Sequence, residues 1–219
     1  MKLVDELFKR YKVKEELLPA FGFAVNDGAF RCTKTISNGA FNLIITVKDK
    51  KISDELIDTD FGDRYNQIDN DMSGSFIAEL KRECSELLLN LREKCFYKEN
   101  FIFSQPNRIT ARIKEKYGVE PEFLWAKYPY FGVFRNKIND KWFGIIMNID
   151  KSKILPTEKG EIEIINVKSE DVPETLKTKG IYPAYHMNKK SWVSVVLDDT
   201  LSDEQVFSLI EKSFEIISK

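Results

Sequence analysis

Apolar side chains recur at helical spacing in several stretches of this chain and alternate at strand spacing between them. Leu3, Val4, Leu7, Phe8, Tyr11, Leu17 and Leu18 predict an amphipathic helix over 3–18, ended by Pro19. Phe41, Leu43, Ile45 and Val47 alternate onto one face and predict a strand over 41–47. Its hairpin partner is 30–36, across Ser37-Asn38-Gly39-Ala40, where Asn-Gly supplies the positive-φ pair of a type I′ turn. Two more strands are expected around Leu56 and Tyr65, with Phe61-Gly62-Asp63 at the turn. Phe76, Ile77, Leu80, Cys84, Leu87, Leu88, Leu91 and Cys95 then fall on one face of a long helix. The first unit, 1–100, thus reads as helix, four-strand meander, long helix.

Phe96, Tyr97, Phe101 and Phe103 make the connecting segment too aromatic for a floppy linker. A second unit, 104–219, begins with a helix over 105–117 closed by Gly118. A hairpin of 131–138 with 142–149 turns about Asn139-Asp140, and 161–167 is a third strand. Ser169 is positioned to cap a short helix, and an extra strand is expected near Ile181 ahead of the strand 192–197. Ser202 and Gln205 form a capping box for a terminal helix. The order α-β-β-β-α-β-α with antiparallel hairpins implies an α+β fold of two-layer sandwich units, sheets flanked by helices.

Charge narrows the choice of partners. Among 219 residues, Lys plus Arg number 34 and Asp plus Glu 35, so no net field draws the chain to nucleic acid or an anionic membrane. A local basic face remains open. No apolar run approaches the roughly 20 residues that span a bilayer. The start Met1-Lys2-Leu3-Val4-Asp5-Glu6 turns acidic where a signal peptide would be apolar, so the expected location is cytoplasmic, with no membrane partner. Cys32, Cys84 and Cys95 are odd in number and lack CxxC spacing, so reduced buried thiols are expected, with no disulfide, metal or cofactor.

The densest chemistry lies in Tyr185-His186-Met187-Asn188-Lys189-Lys190-Ser191-Trp192, which holds the chain's one histidine. His186 suits proton transfer or ligation. Equally, it suits a loop-fixing role through backbone carbonyls. Lys189 and Lys190 sit where a loop could meet phosphate, or simply water. Tyr185 and Asn188 serve equally as turn and packing residues. Arg108, Arg112, Lys114, Lys116, Lys127, Arg135, Lys137 and Lys141 outnumber the acids of 108–141. Lys137 and Lys141 flank a hairpin turn, as a phosphate-binding wing would, and Trp142 and Trp192 can stack on bases or fill a core. Asp54, Glu55, Asp58, Asp60, Asp63, Asp69 and Asp71 face only Arg64 in 54–71, but their spacing matches no EF-hand. No P-loop, GxGxxG, zinc-finger or RNA-recognition motif occurs.

The run 185–192 resembles the Tyr-His-Met-Asn-Lys-x-x-Trp segment of the MmcQ/YjbR-like proteins. PEFLWAKYP at 121–129, VFRNKINDKWFGIIM at 133–147 and VVLDDTLSDEQVFSLIEKSF at 195–214 resemble that family's other blocks, in order. The likeness covers about 104–217. Ser191 departs from it, standing where the family commonly shows a second histidine. The first half, including IDTDFGDRY at 57–65, resembles the N-terminal extension of longer bacterial members. The resemblance implies a small α+β domain with a double-wing arrangement suggestive of DNA binding. It implies no cofactor and no catalytic residue. The expected function is therefore a non-enzymatic binding protein with DNA as partner, through Arg135, Lys137, Lys141, Trp142 and the 185–192 loop. The alternatives are a small-molecule binder or enzyme with a pocket around His186, and a protein-interaction adaptor.

Overall fold

The computed structural model describes residues 2–69 and 74–219. The chain divides into two compact units, Met1–Glu99 and Asn100–Lys219.

In the first unit the helix expected over 3–18 stops early. α1 spans Lys2–Phe8, and β1 follows at Tyr11–Val13. A 3-10 turn at Glu15–Leu17 then leads into α2, Leu18–Phe21. The break has a tertiary cause. β1 pairs antiparallel with a strand more than eighty positions later, Phe96–Lys98, and that ladder overrides the local helical pattern.

The four-stranded sheet runs β2 (Ala24–Asn26), β3 (Ala29–Ile36), β4 (Phe41–Lys48) and β5 (Lys51–Asp58) in sequence order. Its fourth strand precedes the central hairpin instead of following it. Asp27 (φ 50°) and Gly28 (φ 72°) form the two-residue turn between β2 and β3, with Asn26 opposite Ala29. Around Tyr65 there is only an isolated bridge, Ile57 to Arg64, and a 3-10 turn at Asn66–Asp69. The β3–β4 connection also differs from a two-residue turn. Ser37, Asn38 and Gly39 all take positive φ, and Ile36 pairs with Phe41. α3, Ser75–Cys95, buries Leu80, Cys84, Leu88, Leu91 and Cys95 in one core with Phe41, Leu43, Ile45 and Val47 of β4. β6, Phe96–Lys98, closes the unit.

Two of the four linking aromatics are docked, Phe96 and Phe101, whereas Tyr97 and Phe103 are exposed. Phe96 belongs to the first core, with its ring 4.6 Å from that of Phe8. Phe101 is fully buried in the second core. Backbone N–H groups of Ile102 and Phe103 donate to the two carboxylate oxygens of buried Glu163, each at 3.0 Å.

The second unit opens with α4, Ser104–Tyr117, ended by Gly118 in the left-handed region. Its strands are β7 (Glu122–Phe123), β8 (Gly132–Arg135), β9 (Trp142–Asp150) and β10 (Glu161–Lys168). The short α5 (Val172–Thr175) follows, then β11 (Ile181–Pro183), β12 (Trp192–Val196) and α6 (Asp203–Ser218). Asp171, not Ser169, caps α5, its side chain accepting from the Glu174 N–H. The capping box of Ser202 and Gln205 opens α6.

The sheet order is β11-β12-β10-β9-β8-β7, antiparallel throughout. One face packs under α4 and α6, where Ile109, Ile113, Val206 and Ile210 meet Ile146, Ile165, Val193 and Val195. The other face carries a separate apolar cluster of Val133, Ile145, Met147, Ile149, Ile162, Ile164 and Val196. A bulge at Phe143 shifts the β8–β9 register, so that Gly144 faces Phe134 and Trp142 faces Arg135. The hydroxyl of Ser213 on α6 accepts from the Lys168 N–H (2.8 Å) and donates to the Phe143 carbonyl (2.6 Å). It thereby completes the β9–β10 ladder where direct pairing ends.

Candidate functional site

Strand register decides which of the sequence candidates meet. Arg135 stands opposite Trp142, Lys168 opposite Trp192, and the β9–β10 ladder ends at Gly144 and Val167. β8 therefore ends, β9 begins, β10 ends and β12 begins at one end of the sheet. The stretches 135–142 and 185–192, far apart in sequence, leave the sheet together. Only β10 separates β9 from β12, so their backbones are on the order of 10 Å apart.

Cations and indoles alternate along this end. The Arg135 guanidinium lies 5.5 Å from the Trp142 ring centroid, and Lys168 Nζ lies 5.4 Å from that of Trp192. Arg135 Nε also donates to Glu122 at 2.9 Å. Trp142 is half-buried, edge-on to Trp125 at 6.0 Å, and Trp192 is buried. Both indoles are thus engaged by protein, whereas Trp125 and Tyr128 stand exposed nearby in the chain.

A closed circuit of three hydrogen bonds holds the 185–188 turn. Asn166 Nδ2 donates to the Tyr185 carbonyl (2.7 Å), Ser194 Oγ donates to Asn166 Oδ1 (2.6 Å), and the Tyr185 N–H donates to Ser194 Oγ (2.9 Å). Asn166 and Ser194 are fully buried on facing strands, so each polar group is satisfied where water is excluded. The turn then throws His186 into the left-handed region at φ 56°. His186 is exposed, its ring 4.1 Å from that of Tyr185, and it makes no hydrogen bond to a described residue. The loop-fixing role expected of His186 thus falls to Asn166 and Ser194. Asn188 shapes the next turn, with Oδ1 accepting from the Lys190 N–H (2.9 Å) and its carbonyl accepting from Ser191 and Trp192. Lys189 and Lys190 are exposed on that turn. The Ser191 carbonyl accepts from Ser169 N–H at 3.1 Å, tying the loop to the end of β10.

The 136–141 loop is equally well built. Asn136 Nδ2 donates to Ser218 Oγ, Asn139 Nδ2 donates to the Ile217 carbonyl at 2.8 Å, and both bind the loop to the end of α6. Ile138 is 93% exposed at its tip. A methyl placed on Gly118 would stand 3.4 Å from Lys137 Nζ, so this ammonium lies at the C-terminal end of α4, where the helix dipole favours it.

Most of the wider basic set is spoken for. Arg108 pairs with Asp199 and with Asp203, Arg112 with Glu204, Lys114 with Glu120, and Lys116 with Glu211. Lys127 Nζ lies 5.8 Å from the Tyr128 ring. Lys141, Lys189 and Lys190 are exposed and have no carboxylate partner among the described residues. Of the acids at this end, Glu170 pairs with Lys219 at 2.7 Å, which lowers its carboxyl pKa, and Asp171 caps α5, while Asp140 is exposed on the 136–141 loop beside Lys141.

The acidic stretch of the first unit builds turns. Asp58 Oδ1 accepts from the Asp60 and Phe61 N–H groups, Asp69 pairs with Arg64 at 3.2 Å, and burial raises the Asp54 carboxyl. Asp71 lies outside the described residues. No group of three His, Cys, Asp or Glu able to hold a metal converges among the described residues. All three thiols are buried and free, and burial pushes Cys84 up to about 12. Among the described residues no helix is long and apolar enough to cross a membrane. Among the described residues, concavities of about 380, 460 and 330 Å³ open, and Tyr185, His186 and Asn188 line none of these.

The loops of this end fall inside a larger likeness. Residues 114–216 match the family model described as YjbR. The uncharacterised protein YyaQ of Bacillus subtilis (strain 168) is 39% identical over 110 residues, which cover 49% of this chain and 93% of YyaQ. The chain belongs to the YjbR family. A second relative, the uncharacterised YbdF of Escherichia coli O157:H7, is 34% identical over 44% of this chain and 71% of its own. A crystal structure of a Pseudomonas syringae protein aligns at 36% identity over 52% of this chain and 98% of that one, with a TM-score of 0.49.

Within this YjbR-family unit, sequence reasoning missed Asn166, Ser194 and Lys168. The signal was present: an amide inside EIEIINVK and a hydroxyl inside WVSVV are polar residues in otherwise apolar strands. Such residues are retained where something buried needs a partner.

Proposed function

We propose that the C-terminal unit is a non-enzymatic binding module that takes the phosphate backbone of duplex DNA on the sheet end bearing the 136–141 and 184–191 loops. One observation carries this reading: strand register gathers Lys141, Lys189 and Lys190, exposed and without carboxylate partners among the described residues, on two loops of the same end. The arginines and lysines of 108–135 are engaged inside the unit, so within the basic stretch and the 184–191 loop the cations left for a phosphate backbone are those of the two loops. The loops are held by buried or helix-end hydrogen bonds, so little order is lost on contact. Duplex fits better than single strand, because Trp142 and Trp192 already have cations over their rings.

Titration of a short duplex by fluorescence anisotropy at low salt tests this. Wild type is expected to bind with a Kd in the non-specific range of about 10⁻⁴–10⁻⁶ M. The Lys141→Ala/Lys189→Ala/Lys190→Ala variant should bind at least about tenfold more weakly and stay folded, since exposed substitutions change stability little. Absence of wild-type binding at low salt removes the DNA reading and leaves a protein or small-molecule partner.

A further inference from the structure

We propose that the N-terminal unit, outside the YjbR match, carries a binding site for a small amphipathic anion: a carboxylate on an apolar tail. A cavity of about 380 Å³ opens between the α2 turn, β3 and α3, within the size range of small-ligand sites. Its walls divide by chemistry. Leu17, Phe21 and Leu87 supply apolar surface, and Lys34, Lys94 and Asn90 supply donors. Among the described residues no carboxylate lines it.

Two ammonium groups converge on one ring. Lys34 Nζ lies 5.4 Å and Lys94 Nζ 6.0 Å from the Phe21 centroid. Lys34 also donates to the Phe21 carbonyl at 3.4 Å, which leaves two of its three N–H bonds for another acceptor. Neither lysine has a carboxylate partner among the described residues, whereas Arg82, on the same helix as Lys94, is paired with both Glu79 and Glu86. Helical spacing explains the convergence: Leu87, Asn90 and Lys94 fall on one stripe of α3. Like charges gathered over an apolar floor repel each other, and an anion relieves that repulsion. A carboxylate between the lysines accepts charge-assisted hydrogen bonds, the Asn90 amide offers a further donor, and an alkyl or aryl tail covers Leu17 and Leu87. A bare inorganic anion leaves that apolar wall wet, and a neutral alcohol leaves the charges unanswered.

Isothermal titration of the full chain with octanoate is the test, with 1-octanol and octylammonium as probes of charge. Octanoate should bind at one site, and both controls at least about tenfold more weakly. Lys34→Ala/Lys94→Ala should weaken octanoate by at least about tenfold with an unchanged unfolding midpoint, and Lys94→Glu alone should do so as well. Leu87→Trp, which fills the cavity, should abolish binding. No octanoate binding up to about 10 mM, equal affinity for 1-octanol, or an affinity unmoved by Lys94→Glu would each overturn the proposal.

Discussion

At the scale of single residues, His186 shows how a conspicuous side chain and its structural role separate. It stands exposed at φ 56°, a conformation that costs most L-residues about 1–2 kcal/mol. Replacing it with Val should lower stability by about 1–2 kcal/mol, because a β-branched side chain tolerates this region worst. His186→Gly should cost almost nothing, since glycine adopts the region freely. Chemical denaturation of both variants checks this; equal losses would mean that the imidazole itself holds the turn. The conspicuous run around His186 was legible because polar and aromatic side chains crowd together there. The residues that hold it, Asn166 and Ser194, were not. Each is one polar letter in an apolar strand, and only the register places the two opposite one another.

At the scale of elements, the ion pair of Arg108 with Asp203 ties α4 to the first turn of α6. Hydrogen bonds from Arg108, then from Gln105, hold the Asp203 carboxyl below its ordinary value of 3.8, against the raising effect of partial burial. A carboxyl depressed in the folded state stabilises fully above its unfolded pKa and loses that contribution as pH falls through its folded one. Acid unfolding of wild type should therefore steepen below about pH 4, and Asp203→Asn should flatten that part of the curve. Superimposable acid limbs would show that the contact contributes nothing. Local pattern announced most elements. β4 declared itself by strict alternation, α3 by its apolar stripe and α6 by its capping box. β1 escaped because Tyr11-Lys12-Val13 continues a helical pattern, while its partner Phe96–Lys98 lies at the far end of the unit. β2 escaped because three exposed residues leave no periodic trace, although Asp27-Gly28 marked its turn.

At the scale of the molecule, the two units each have a core, and Phe101 belongs wholly to the second. A fragment starting at Asn100 should unfold cooperatively on its own. One starting at Ser104 forfeits Phe101 and the backbone donors held by Glu163, and should be less stable by about 3–5 kcal/mol, the usual cost of removing a buried Phe. Equal stability of the two fragments would make Phe101 a passenger. The fold class, the family likeness and the lysine-bearing loops were readable along the chain. Their assembly at one sheet end was not, because it depends on the bulge at Phe143 and on pairings between strands distant in sequence. That assembly is the central claim, and backbone amide NMR during titration with a short DNA duplex at low salt tests it most directly. Resonances of 136–141 and of 184–191 should shift together along one binding curve, with those of α4 unmoved. Shifts confined to one loop, centred on α4, or absent altogether would contradict it.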